Sequence, residues 1–180
     1  PSTAGTGSGG EDYLVAFTNA DSVTASNLNN VLRGLVRDNT TYSVTGTTAE
    51  TDMASTSITG GTITATGAIH VIAAGTITKA ASATSTVRLY LGATVIATVT
   101  RTAASAFDWV IDAWCFNTAA AAQRWVVLYS LADDVEAVMD YTISAIDTAS
   151  AATLKVTGTV ANATNTITQT VFDVFVVQVA

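Results

Sequence analysis

Apolar and polar residues alternate along much of this chain. In residues 86–101, Val87, Leu89 and Leu91 alternate with polar neighbours, and the alternation resumes beyond Gly92 with Val95. A period of two is typical of a strand with one buried face. The stretch therefore predicts a β-hairpin with its turn at Gly92.

The register of this hairpin follows from the face that must be buried. A three-residue loop, Gly92 to Thr94, places all the alternating apolar side chains on one face, whereas a two-residue loop sets Leu91 opposite Thr94. The sequence therefore predicts the longer loop. Its expected pairs are Leu91–Val95, Leu89–Ala97 and Val87–Val99 on the buried face, with Arg88–Thr98 on the other.

Strand-like stretches recur from residue 67 to the C-terminus. Eight of them are separated by turn-like clusters such as KAASATS, DTASAA and NATN, and Pro1 is the only proline. Short strands at this spacing predict an all-β domain, an eight-stranded jelly roll or β-sandwich. We assign residues 46–180 to this domain and residues 1–45 to an N-terminal arm that serves for attachment.

Residues 22–38 carry a different, helical period. Their apolar positions follow the spacing of one face of an amphipathic helix, and the stripe consists of Leu28, Val31, Leu32, Leu35 and Val36. A helix this short needs a surface to pack against. The stripe either covers one end of the β domain or serves as a contact, for attachment to a partner protein or within a trimer.

Two of the predicted strands are apolar on both faces. The stretch 107–116 carries apolar residues at odd and at even positions, and so does the stretch 172–179. A sandwich that stands alone would leave one of these faces in water. The sequence therefore predicts a subunit interface, formed by Val110, Trp114, Phe116, Phe175 and Val177.

Composition and charge exclude several partners. The 180 residues carry a net charge of −7, and only 12% are charged. Nucleic acid and anionic membrane surfaces both require a cationic footprint, so we expect neither as a partner. The single cysteine and an N-terminus that does not resemble a signal peptide favour synthesis in a cytoplasm.

No group of residues predicts catalysis, a metal site or a cofactor. His70 is the only histidine, so a strand residue with a structural role is expected there. Cys115 lies between aromatic residues, which predicts a buried, unreactive thiol. The acidic residues between 133 and 140 lack a calcium-loop pattern, which favours a solvated rim.

Residues from about 45 to 180 resemble the jelly-roll domains of tailed-bacteriophage virion proteins. The resemblance lies in TGTTAETDMASTSI, VRLYLGATVIATV, AQRWVV, DYTISAID and LKVTGTVANATNTIT. It implies a Thr/Ala-rich structural protein without catalytic residues, located in the virion after assembly in the host cytoplasm. Its expected function is capsid decoration (a cement protein) as a homotrimer bound to the major capsid protein or another virion protein.

Three other functions stay open at this point. A tail or head fibre module could bind host glycans through exposed aromatic side chains. A subunit of an exported surface filament could be joined by strand donation from the N-terminal arm. An enzyme is the least favoured, because no catalytic constellation is visible.

Overall fold

The computed structural model describes residues 33–64, 67–103, 105–131 and 138–177. These residues form eleven β-strands, and the described part of the chain contains no helix. The strands are β1 (Arg33–Asp38), β2 (Tyr42–Val44), β3 (Thr51–Ile58), β4 (Ala68–Thr78), β5 (Ala83–Leu91), β6 (Thr94–Ala103), β7 (Phe107–Ala119), β8 (Ala122–Leu131), β9 (Val138–Ser144), β10 (Ala152–Val160) and β11 (Thr166–Val177).

The strands form two antiparallel sheets that pack into a sandwich. The larger sheet has the order β1-β11-β4-β7-β8-β9, with β2 also paired to β11. The smaller sheet has the order β3-β10-β5-β6. The buried hydrophobic cluster takes side chains from both sheets, so the core lies between them.

Strict alternation decides which residues enter this core. Along β7, Phe107, Trp109 and Ile111 are buried, and the residues between them are more exposed. Trp125 on β8 and Phe172 on β11 are also fully buried. Burying such a side chain stabilises the fold by about 1.5–3 kcal/mol, so these aromatic residues anchor the larger sheet.

The predicted fold class is confirmed as an all-β sandwich, but the prediction of eight strands is too low. The predicted helix over 22–38 is wrong in its last part, because Arg33–Asp38 is a strand paired with β11. Leu35 and Val36 are partly buried against the core. An edge of a large sheet offers this segment hydrogen bonds and burial that a short helix containing Gly34 lacks.

The predicted hairpin register is right away from the turn and wrong beside it. Leu89–Ala97, Val87–Val99 and Arg88–Thr98 pair as expected. Leu91 pairs with Thr94, however, and Tyr90 pairs with Val95, so the loop has two residues.

A β-bulge at Ile96 explains how the short loop coexists with a buried apolar face. One extra residue between Val95 and Ala97 reverses the alternation, so Ile96 is buried and Val95 is 40% exposed. Gly92 has a φ of 58°, and no other residue type adopts a positive φ in the described chain. A positive φ at the first loop residue is what a type II′ turn requires.

A buried polar network joins the ends of β7, β8 and β9. The Gln123 Nε2 group donates to Asn117 Oδ1 and to the Ile146 carbonyl, each at 2.9 Å. Its Oε1 accepts from Ser144 Oγ at 3.0 Å and from the Ile146 amide at 2.9 Å. The Trp125 indole nitrogen donates to Ser144 Oγ at 3.1 Å. Every polar atom of the Gln123 side chain is therefore satisfied without water.

Candidate interaction surface

The larger sheet has a second apolar face, on the side away from the smaller sheet. We call it the outer face. Its exposed large side chains are Phe116 at 45%, Leu128 at 43%, Met139 at 75%, Tyr141 at 54% and Ile143 at 67%. They lie on the adjacent strands β7, β8 and β9, where Leu128 is opposite Met139. Contiguous exposed apolar surface of this kind marks interaction sites in soluble proteins.

A row of stacked rings continues this surface toward β4 and β11. The His70 ring lies 4.0 Å from the Trp114 ring at an interplanar angle of 11°, and 5.9 Å from the Phe175 ring. Trp114 in turn stacks on Phe116 at 6.2 Å. These residues meet because His70 is opposite Trp114 and Phe175 in the strand registers. The stack gives the outer face a rigid, flat centre.

Few charged groups interrupt the outer face. His70 Nε2 donates to Asp112 Oδ1 at 2.8 Å, which fixes the orientation of that carboxylate. Asp173 is only 7% exposed, and Arg37 Nε lies 3.5 Å from its Oδ2. Arg124 is exposed on β8, directly opposite Phe116 and Ile143.

All five residues predicted for a subunit interface are on the outer face. Trp114, Phe175, Val110 and Val177 are half-buried there, and Phe116 is exposed. Of the residues predicted to contact a partner, the structure describes only two, and both are partly buried against the core. Leu35 and Val36 belong to β1, and Leu28, Val31 and Leu32 lie outside the described residues.

The sequence analysis missed the most exposed part of the surface. Met139, Tyr141 and Ile143 alternate with polar residues in β9. That alternation identifies a strand, but it predicts that the apolar side faces the core. In the fold, β9 is the last strand of the larger sheet in the described chain, and these side chains point away from the core.

A polar groove of about 300 Å³ lies on the opposite side of the sandwich, on the smaller sheet. Glu50 accepts hydrogen bonds from Thr157 Oγ1 and Tyr90 Oη and pairs with Arg88 at 3.1 Å. The hydrogen bond from Thr157, followed by those from Tyr90 and Arg88, holds the Glu50 pKa below its ordinary value, although burial opposes the shift. Glu50 is therefore ionised near neutral pH and unsuited to act as a general acid.

Lys155 also lines this groove. Its ammonium lies 2.8 Å from Asp52 Oδ1 and 5.5 Å from the centre of the Tyr90 ring. The charged groups of the groove are thus paired with one another. This pattern is typical of a stabilising surface network.

Cys115 and the acidic residues between 133 and 140 are the residues that the sequence analysis considered for catalysis or metal binding. Cys115 is buried, and burial raises the pKa of its thiol to about 12. Asp140 is exposed, whereas Asp133, Asp134 and Glu136 lie outside the described residues. Within the described ranges, no three His, Cys, Asp or Glu side chains converge as a metal site would require. No helix in that part of the chain is long and apolar enough to cross a membrane.

Comparison with protein-family models, with curated proteins and with solved structures finds no match to this chain.

Proposed function

We propose that this protein is a non-enzymatic structural component of a phage virion, most simply a capsid decoration protein that forms homotrimers and binds the shell. The observation that carries the proposal is the outer face. It presents aromatic and aliphatic side chains across neighbouring strands of a rigid sheet. Burial of such a face by other subunits is the usual route to a closed oligomer.

The strand pairing supports a jelly-roll version of the sandwich. The chain pairs β5 with β6, β4 with β7, β3 with β10 and β2 with β11. These nested pairs are those of one long antiparallel ribbon rolled into two sheets, which is the connectivity of a jelly roll. In this description β8 and β9 form an additional hairpin that widens the larger sheet, and β1 extends its other edge.

The widening hairpin also supports self-association. The most exposed apolar side chains, Met139 and Ile143, lie on β9. Because β8 and β9 are additional to the nested ribbon, we infer that they enlarge the surface that neighbouring subunits cover. The sequence analysis assigns residues 1–45 to an arm for attachment to the major capsid protein or another virion protein. Because β1 and β2 belong to the larger sheet, we propose that the part of the arm before β1 makes this attachment.

The oligomeric state of the full-length chain tests this proposal. Light scattering after gel filtration should give three times the mass of the 18.4 kDa chain. Ile143→Asp should yield a folded species of lower mass, because a carboxylate cannot be buried unpaired. Val95→Asp is the matched control, since Val95 is an exposed apolar residue of the smaller sheet, and this variant should remain trimeric. A monomeric wild-type protein contradicts the proposal.

Copy number in purified virions tests the location. A decoration protein is present in many copies per particle, and a fibre in few. If antibodies against the protein do not label purified virions of the phage whose genome encodes it, or if no phage genome encodes it, the phage assignment is wrong. This holds whatever the oligomeric state.

The alternative of a glycan-binding fibre module rests on the polar groove, where the Tyr90 ring lies beside Glu50 and Asp52. Carboxylates and an aromatic ring are the groups that bind sugars. Binding of the full-length chain to a glycan array, abolished by Tyr90→Ala, would favour this alternative.

A further inference from the structure

We propose that the outer face binds a second copy of this chain in one specific register, in which Arg124 of one subunit pairs with Asp112 of its neighbour. The inference rests on the proposed self-association through the outer face. It goes further in naming the residues that set the relative position of the subunits.

Arg124 makes this register selective, because its charge needs a carboxylate partner in the surface that covers it. It lies on β8 between the apolar residues Phe116 and Ile143, which are directly opposite it on β7 and β9. Among the described residues, no carboxylate forms an ion pair with it. A surface that covers Phe116 and Ile143 also removes the guanidinium from water, and a buried cation requires a carboxylate partner. The covering surface must therefore supply one.

Asp112 is the carboxylate on the outer face that is best placed to be this partner. Its side chain is 37% exposed, and His70 holds only its Oδ1. Asp173 is almost entirely covered and already faces Arg37. Asp108 lies toward the other end of β7, beside a shallow cleft that Ser130 and Thr170 also line. Asp173 Oδ1 also has no hydrogen-bond partner, but it is buried. Asp112 is therefore the carboxylate among these three that combines an unpaired oxygen, exposure and a position among the apolar side chains of the outer face.

The two groups cannot pair within one chain. Asp112 is opposite Leu128, and Arg124 is four residues further along β8, which is about 13 Å along an extended strand. In a closed assembly the outer face of each subunit contacts neighbouring copies, and this contact removes the separation. Each subunit then gives its guanidinium to one neighbour and receives one from another, so neither charge stays unpaired. The outer face thus carries both the cation and the carboxylate that a partner surface must supply. For this reason we assign a second copy of the chain as the protein that covers it.

Charge variants of the full-length protein test the pairing. Sedimentation equilibrium should show that Arg124→Gln and Asp112→Asn each weaken self-association by about 30-fold or more, as for other buried pairs at interfaces. Asp108→Asn is the matched control, because it removes the same charge from the same strand and face, and it should have no effect. Reversal of either charge alone should abolish association, and the double variant Arg124→Asp/Asp112→Arg should restore it.

The outcomes separate this inference from the proposed function. If Ile143→Asp dissociates the wild-type oligomer while Arg124→Gln and Asp112→Asn do not, the pairing is wrong and self-association through the outer face stands. A wild-type chain that is monomeric at every concentration overturns both. Circular dichroism identifies any variant that fails to fold. If the double reversal fails to fold, the neutral variants decide instead. For a direct pair, the loss of association free energy in Arg124→Gln/Asp112→Asn should be much smaller than the sum of the losses in the two single variants.

Discussion

Replacement of Gln123 by Met should be among the most destabilising single changes in this protein. Methionine has a similar length and no amide, so it fills the same space but makes none of the four hydrogen bonds of Gln123. The change leaves Asn117 Oδ1 and both backbone groups of Ile146 without that partner, while Ser144 keeps its bond to Trp125. Each buried polar group left unpaired costs about 1–3 kcal/mol. We therefore expect a loss of roughly 3–6 kcal/mol in the free energy of unfolding, because some groups recover partners by relaxation.

Gln169→Met is the matched control. Gln169 is 1% exposed, and neither polar atom of its amide has a hydrogen-bond partner in the described part of the chain. The same substitution at the same depth therefore breaks no hydrogen bond, and it removes a buried amide that is costly to desolvate. We expect stability to be unchanged or to increase by up to about 2 kcal/mol.

Urea unfolding at pH 7, followed by tryptophan fluorescence, measures both variants, since Trp109 and Trp125 are buried in the native state. Heating provides a second reading, because 1 kcal/mol shifts the midpoint by about 2–4 °C in a domain of this size. If both variants lose the same stability, the packing of the side chain matters and the hydrogen bonds do not. A loss below about 1 kcal/mol at Gln123 would contradict the calculation from unpaired groups.

Further predictions concern four single positions. Gly75→Ala should cost about 3 kcal/mol or more by thermal unfolding, because its Cβ would overlap the backbone of β11 and tight packing there cannot relax. Gly46→Ala has open space and should cost about 1 kcal/mol through its positive φ alone. Glu50 has a lowered pKa, caused first by its bond from Thr157, so stability should fall as pH drops below the ordinary Glu value, and Glu50→Gln should remove that component of a pH titration. Cys115 should not react with a thiol reagent at pH 8 until the protein unfolds, since its pKa is raised to about 12; rapid labelling of native protein would contradict the buried position.

The sequence by itself determined the fold class and the two apolar faces of the larger sheet. Both follow from local alternation: Trp109 and Ile111 on one side of β7 and Val110 and Trp114 on the other can be read from consecutive residues. The buried Cys115 follows from the same pattern. A strand exposes its side chains to opposite faces whatever it pairs with, so this information does not depend on distant parts of the chain.

Only the tertiary structure decided the details that depend on pairing partners. Arg33–Asp38 is the last part of a stretch with helical apolar spacing, 22–38, yet it becomes a strand because β11 offers it an edge. The extra residue Ile96 reconciles a two-residue turn with a buried face, and no local pattern reveals such a bulge.

The same limit applies to the candidate sites. Glu50 and Thr157 are hydrogen-bonded although 107 positions separate them in the chain, and the His70–Asp112 pair spans 42. The outer face reaches its full width only because β8 and β9 are added beside β7. Strand order is set by the competition of all possible edges for burial and hydrogen bonds. The local period of a sequence carries no information about the outcome of that competition.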